Sequence, residues 1–238
     1  MGSGLIKAII FDFGQTLVDS AGGFRQAEKD AQEKIFGHMA LSLQETFLDR
    51  YRRIRKEFHD RSDFSRSAMW RELYHYHCLV PDEALLSSWE TQYWDTVRAH
   101  TVLFPETLGV LKALNTRFQV ALITNTQGAP VSGTHRIREF PEIEKYFRVI
   151  VVAGDDGIPP KPDPAPFRRC LQSLGVHPTH AVYVGDDWRN DVCGSRDAGL
   201  HAVWIRHARV KRTWPEVKTD APVITRLDEL FGLRLLQA

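Results

Sequence analysis

"IIFDFGQTLVDS", residues 9–20, decides how the chain is read. Ile9, Ile10 and Phe11 form a β-branched and aromatic run that delivers Asp12 to the end of a buried strand. Gly14 and Thr16 follow at once, the marks of a tight loop. A carboxylate at the mouth of an apolar strand carries a desolvation cost, so it needs a chemical partner. Gly14 stands where a second carboxylate would have supplied acid–base chemistry.

Outward from this stretch, further short runs rich in Val and Ile recur: Gln119–Thr124, Val149–Val152, Ala181–Val184 and Ala202–Ile205, with Leu5–Phe11 as the first. They read as strands buried on both faces of a parallel sheet. Between them lie segments of helical period, Glu106–Leu114, Pro164–Leu174 and Asn190–Ala198, the last closed by Gly199. This alternation predicts an α/β fold, a doubly wound, Rossmann-like parallel sheet. Residues 18–100 break the pattern. They run in helical period with an aromatic apolar face (Phe36, Phe47, Tyr51, Trp70, Tyr74, Trp89, Tyr93 and Trp94), enough for about four helices. The sequence therefore predicts a core of residues 1–17 plus 101–238, interrupted by an inserted helical cap over 18–100.

Composition narrows the function classes. The chain has 238 residues, 43% hydrophobic and 26% charged, with a formal net charge of +1. No global field favours nucleic acid or an acidic membrane, so any anion must be held by a local site. Three cysteines, Cys78, Cys170 and Cys193, are widely spaced and form no CxxC pair. They predict reduced thiols rather than a disulfide framework or zinc site. No apolar run approaches 18 residues and no signal-peptide pattern is present, so the expectation is a cytoplasmic protein without a membrane partner.

In open parallel sheets the ligand crevice lies beyond the carboxyl ends of the strands. Reading the residues just past each predicted strand gives Asp12, then Thr124-Asn125, then a loop with Lys161, then Asp186-Asp187. Any one of these is an ordinary turn or cap residue. Four in order at strand ends predict one site combining carboxylates, a hydroxyl and a lysine.

These segments resemble the haloacid dehalogenase superfamily, most of whose members are phosphotransferases. "FDFGQTL" (Phe11–Leu17) resembles its first motif, "ALITNT" (Ala121–Thr126) its second, "KPDPAPF" (Lys161–Phe167) its third, and "VYVGDDWRNDVCGSRDAGL" (Val182–Leu200) its fourth. The insertion after the first motif is similar to the family's helical cap of the first type. The resemblance implies a magnesium-dependent phosphohydrolase of small phosphorylated metabolites. It implies Asp12 as nucleophile, with Asp12, the carbonyl of Gly14 and Asp186 holding Mg²⁺. Asp191 would orient a metal-bound water or act as an outer ligand. Lys161 and the Thr124 hydroxyl would meet the phosphoryl oxygens, with Asn125 in the substrate-binding set.

Gly14 departs from the family pattern. Most of its phosphatases place aspartate there to protonate the leaving group, and general acid–base catalysis is worth roughly 10²–10⁴-fold. Three explanations follow: a substrate with a good leaving group, an acid supplied by the cap, or binding without turnover. Phosphonatases of the family also lack this aspartate but need a cap lysine, for which Lys29, Lys34 and Lys56 are available. Metal-free dehalogenases carry a different fourth motif.

Two further segments have simpler readings. "DRYRRIRKEFHDR" (Asp49–Arg61) is interrupted by Asp49, Glu57 and Asp60, which speaks against a nucleic-acid helix. It reads as a solvated cap helix, with Arg52, Arg53, Arg55 or Lys56 as candidates for selecting an anionic substrate. "YHYHC" (Tyr74–Cys78) alternates its histidines at a spacing that points them to opposite sides of a helix, unsuited to one metal.

Overall fold

The computed structural model describes residues 5–61, 63, 65–126, 136–211 and 213–237. These divide into two compact units, one made of the described residues of 1–21, 102–125 and 135–238, the other containing those of 22–101.

The first unit is built on a six-stranded, all-parallel sheet. Its strands are β1 (Ala8–Phe11), β4 (Gln119–Asn125), β5 (Val149–Ala153), β6 (Ala181–Gly185), β7 (His201–Ile205) and β8 (Val223–Ile224), in the order β5-β4-β1-β6-β7-β8. A second, antiparallel ribbon pairs β2 (Val18–Asp19) with β3 (Val102–Leu103). Successive residues of the central strands serve opposite faces. Ile9, Phe11, Val120, Leu122, Val182 and Val184 pack with Val110, Leu111 and Leu114 of α5 (Thr107–Leu114). The alternate residues Ala8, Ile10, Ala121, Ile123, Ala181 and Tyr183 pack with Phe167, Cys170 and Leu171 of the helix Ala165–Leu174. Both faces are therefore covered, which explains why the strands read as near-continuous apolar runs.

Chain order reverses between β1 and β6. From β1 the sheet grows through β4 to β5 on one side, then returns to β6, β7 and β8 on the other. Such a switch point opens a crevice at the carboxyl ends of its two strands. Asp12 follows β1 and Asp186 follows β6, so two carboxylates stand at that crevice by topology alone.

The expected strands are all present, extended or trimmed at their ends. Two elements depart from expectation. Val18–Asp19, assigned by periodicity to the helical stretch, is a short strand. The expected helix Asn190–Ala198 starts as a π-helical turn over Trp188–Cys193 before one α-helical turn, Gly194–Asp197.

The second unit holds four helices: α1 (Ala21–Met39), α2 (Gln44–Asp60), α3 (Arg66–Tyr76) and α4 (Glu83–Ala99). Phe47, Tyr51, Ile54 and Phe58 recur along one stripe of α2 and pack with Trp70, Tyr74, Tyr93 and Trp94 in a single cluster. Ser65 and Asp82 cap α3 and α4, accepting hydrogen bonds from Ala68 N and from Ala84 and Leu85 N. In "YHYHC" the Tyr74 hydroxyl bonds His38 Nδ1 at 2.7 Å, and α3 ends at Tyr76. The second tyrosine–histidine pair thus closes a helix rather than a metal site. No helix among the described residues is long and apolar enough to cross a membrane.

Candidate active site

Lys161 is the centre of the site. Its side chain is only 3% exposed, yet its ammonium has three protons to place, and a buried charge must be matched. Nζ donates to Asp12 Oδ1 at 2.8 Å, to Asp191 Oδ1 at 2.6 Å and to the Tyr183 hydroxyl at 2.8 Å. Tyr183 in turn donates to the carbonyl of Ile123 at 2.9 Å, which also lies 3.2 Å from Nζ. All three N–H groups are thereby satisfied by acceptors from β4, β6 and the loops after β1 and β6.

The backbone of Lys161 is held as firmly as its tip. Asn125, last residue of β4, accepts from Lys161 N at 2.8 Å and donates through Nδ2 to Lys161 O at 3.2 Å. Thr124, just before it, is buried at the strand end, with Oγ1 3.5 Å from the Asn125 carbonyl.

Asp191 reaches the crevice from the π-helical turn. Its Oδ2 accepts from Asp187 N at 2.9 Å, and Asp187 caps the turn by accepting from Asn190 N at 2.8 Å. The approach is close. A Cβ built on Gly185, the last residue of β6, would lie 2.4 Å from the Asp191 carboxylate. Only glycine lets that carboxylate sit on the strand end. Asp186 is placed by the strand itself, and its carbonyl accepts from Trp204 Nε1 at 2.9 Å.

Asp12, Asp186 and Asp191 are all buried, and each offers an oxygen within 4.8 Å of the others. Three carboxylates and one ammonium leave two negative charges in excess. Burial pushes the Asp191 carboxyl well above the usual carboxylate range, and the charges of Asp12 and Asp187 add to this while Lys161 opposes it. Burial alone would lower the Lys161 pKa, but Asp12 and Asp191 outweigh it and hold the lysine protonated. Lys161 stays an ammonium, because deprotonation would forfeit a donor to one of its three short contacts. Clustered carboxylate oxygens are hard ligands suited to a divalent cation such as magnesium, and a cation there would relieve the crowding that raises Asp191. The residues present therefore fit a metal.

Gly14 lies in the loop after β1 and forms an isolated bridge with Val18. The left-handed residue of this loop is Gln15, at φ 59°, not Gly14. Thr16 donates to Asp12 Oδ2 at a long 3.4 Å. Of the residues singled out in the sequence, the structure brings Asp12, Asn125, Lys161, Asp186 and Asp191 together. Tyr183 was missed. Its signal was a phenol in the middle of a strand buried on both faces, where the hydroxyl must find a partner.

A Rossmann-like sheet with a carboxylate–lysine centre at its switch point, and four helices inserted between β2 and β3, defines a class of α/β proteins with a helical insertion. The family model for haloacid dehalogenase-like hydrolase matches residues 6–199, and the chain belongs to that family. It is 26% identical over 95% of its length to the glyceraldehyde 3-phosphate phosphatase of Pyrococcus furiosus, covering 92% of that protein. To the N-acylneuraminate-9-phosphatase of Rattus norvegicus it is 30% identical over 86% of its length and 84% of the relative's. Among solved structures, the magnesium-bound HAD-hydrolase YfnB of Bacillus subtilis superposes with a TM-score of 0.68 at 22% identity, covering 99% of this chain and all of that one.

Proposed function

We propose that this hydrolase is a magnesium-dependent phosphatase of a small phosphorylated metabolite, working through an aspartyl-phosphate on Asp12. One observation carries the reading: an ionisable carboxylate, Asp12, hydrogen-bonded to a buried ammonium within a cluster of three carboxylates. The phosphatase activities named for the curated relatives support it.

Asp12, Asp186 and the Gly14 carbonyl would hold the magnesium ion, with Asp191 beside them. Bound there, the ion would neutralise phosphoryl oxygens and so lower the barrier to attack by an anion. Asp12 attacks phosphorus through a carboxylate oxygen, and the bond from phosphorus to the leaving oxygen breaks as the new one forms. Lys161 fixes the Asp12 carboxylate through Oδ1 and supplies positive charge beside the transferred group, while the Thr124 hydroxyl donates a hydrogen bond to it. Asn125 acts through Lys161, holding its backbone on both sides. Water then attacks the aspartyl-phosphate at phosphorus, releasing phosphate and restoring Asp12.

No side chain at position 14 can give the leaving oxygen a proton. Substrates whose leaving group bears negative charge readily, such as acyl or aryl phosphates, are therefore favoured over alkyl esters. The test is phosphate release from a panel of phosphorylated metabolites with magnesium, for the wild type and Asp12→Asn. Turnover of at least one compound that disappears in a folded Asp12→Asn protein is expected. No turnover across the panel favours instead a protein that binds phosphorylated ligands without hydrolysing them.

A further inference from the structure

The second unit contains a cleft of about 570 Å³ between α1, α2 and the start of α3, lined by none of the residues assigned above to the reaction. Its lining includes six cationic side chains, Arg25, Lys29, Arg52, Arg55, Lys56 and Arg66, against two carboxylates, Glu28 and Asp63. That is an excess of four positive charges in a chain whose total is +1. Such concentration in a concave wall focuses a positive potential into the cleft.

The deep wall of the cleft is organised. Glu28, buried in α1, accepts from the Tyr51 hydroxyl at 2.8 Å and the Tyr93 hydroxyl at 2.9 Å. Tyr51 is itself held by Trp70 Nε1 at 3.2 Å. Around the same Glu28 oxygen, Arg66 Nη2 stands at 3.5 Å and Arg55 Nη1 at 3.7 Å, so one carboxylate gathers two guanidinium groups. Arg66 is only 12% exposed, lies 4.9 Å from the Tyr93 ring centre and leaves Nε buried without an acceptor. A buried guanidinium with an unused donor is costly unless something completes it. At the rim, Lys29, Arg52 and Lys56 touch Glu33, Asp49 and Asp60 of their own helices, at 3.8, 2.9 and 2.5 Å. Exposed pairs of this kind are weak and yield readily to a better acceptor. Arg25 has no carboxylate within 4 Å among the described residues.

From this cleft we infer that the helical unit binds a small polyanion, a molecule bearing two or more carboxylate or phosphate groups. The N–H forks of a guanidinium match carboxylate and phosphate oxygens, so a cleft lined by four arginines suits such groups.

Binding is tested by calorimetry with tricarballylate, a tricarboxylate that lacks a phosphoryl group, on the full chain in magnesium-free buffer. The core cluster, with its negative excess, repels this ion. Saturable binding is expected, weakened by added salt and weakened roughly tenfold in each of Arg25→Ala and Arg55→Ala. Arg71→Ala, outside the cleft and paired with Glu83, should bind as the wild type does. Absence of saturable binding, or equal affinity in the cleft variants, overturns the inference, and neither depends on the proposed phosphatase activity.

Discussion

Replacing Lys161 by methionine isolates the electrostatic core of the site. The substitution keeps an unbranched side chain of similar length and removes the ammonium, which donates at 2.8 Å to Asp12, 2.6 Å to Asp191 and 2.8 Å to Tyr183. Breaking a buried ion pair by deleting one partner costs about 3–5 kcal/mol, because the remaining charge stays desolvated. Two carboxylates are stranded here, but Asp191 already has a raised pKa and can accept a proton. The lower end, about 3 kcal/mol, is therefore the expectation near neutral pH. Because the chain comprises two units, a single global transition is not assured. The assay is therefore amide hydrogen exchange of β1 and β6 in metal-free buffer, which reads the opening free energy of the core itself. Magnesium should recover part of the loss, since a ligand that binds only the folded state stabilises it by mass action. A loss below about 1 kcal/mol, with no response to magnesium, would refute the reasoning that Lys161 balances the carboxylates.

Three other outcomes follow from particular contacts. Gly185→Ala should displace the Asp191 carboxylate, whose atoms lie 2.4 Å from where the new Cβ would stand. It should weaken magnesium binding measured calorimetrically, and unchanged affinity would show that Asp191 does not depend on that close approach. His207, buried and stacked on Phe104 at 3.5 Å, has its pKa lowered by burial; Arg209 and Arg226 lower it too, while Glu106 and Asp19 oppose. Its unfolded value is about 6.5, so the unfolded state takes up protons first. Stability is then full above that pH and falls as pH drops through it towards the folded pKa. The opening free energy of β7, read by amide exchange between pH 8 and 5.5, should fall less steeply in His207→Gln, and parallel curves would exclude His207 as the cause. For Gly14, the plot of log(kcat/KM) against leaving-group pKa should be steep in the wild type. Gly14→Asp should flatten it, by up to roughly 10²–10⁴-fold for basic leaving groups; a shallow wild-type slope would mean that another group supplies the proton.

Much of the sheet was legible because its strands are buried on both faces. Runs such as Val149–Val152 and Ala181–Val184 have no polar alternation to confuse them with a surface helix, and turn residues bound most of them. The site was legible at the strand ends, where Asp12, Asn125, Lys161 and Asp186 follow from topology. Less was visible where geometry departs from a standard period. The π-helical turn at Trp188–Cys193 changes which residues share a face, so a 3.6-residue reading drew one continuous helix there. β2, β3 and β8 have two residues each, too few for any period to show. Tyr183 was hidden by its apolar neighbours. Glu28 was hidden differently, because it sits in a polar-looking stretch of α1 and its tyrosine partners lie 23 and 65 residues away. Pairing over such separations leaves no trace in local sequence.

The central claim is that Asp12 carries the phosphoryl group, and rapid quenching in acid tests it most directly. The wild type is mixed with magnesium and a substrate labelled in its phosphoryl group, quenched within one turnover, and the label on the protein is mapped. The account predicts a transient label on Asp12 that is cleaved by hydroxylamine, as an acyl phosphate is, and that is absent from Asp12→Asn. Turnover at an undiminished rate in a folded Asp12→Asn protein, or label on another residue, would contradict it.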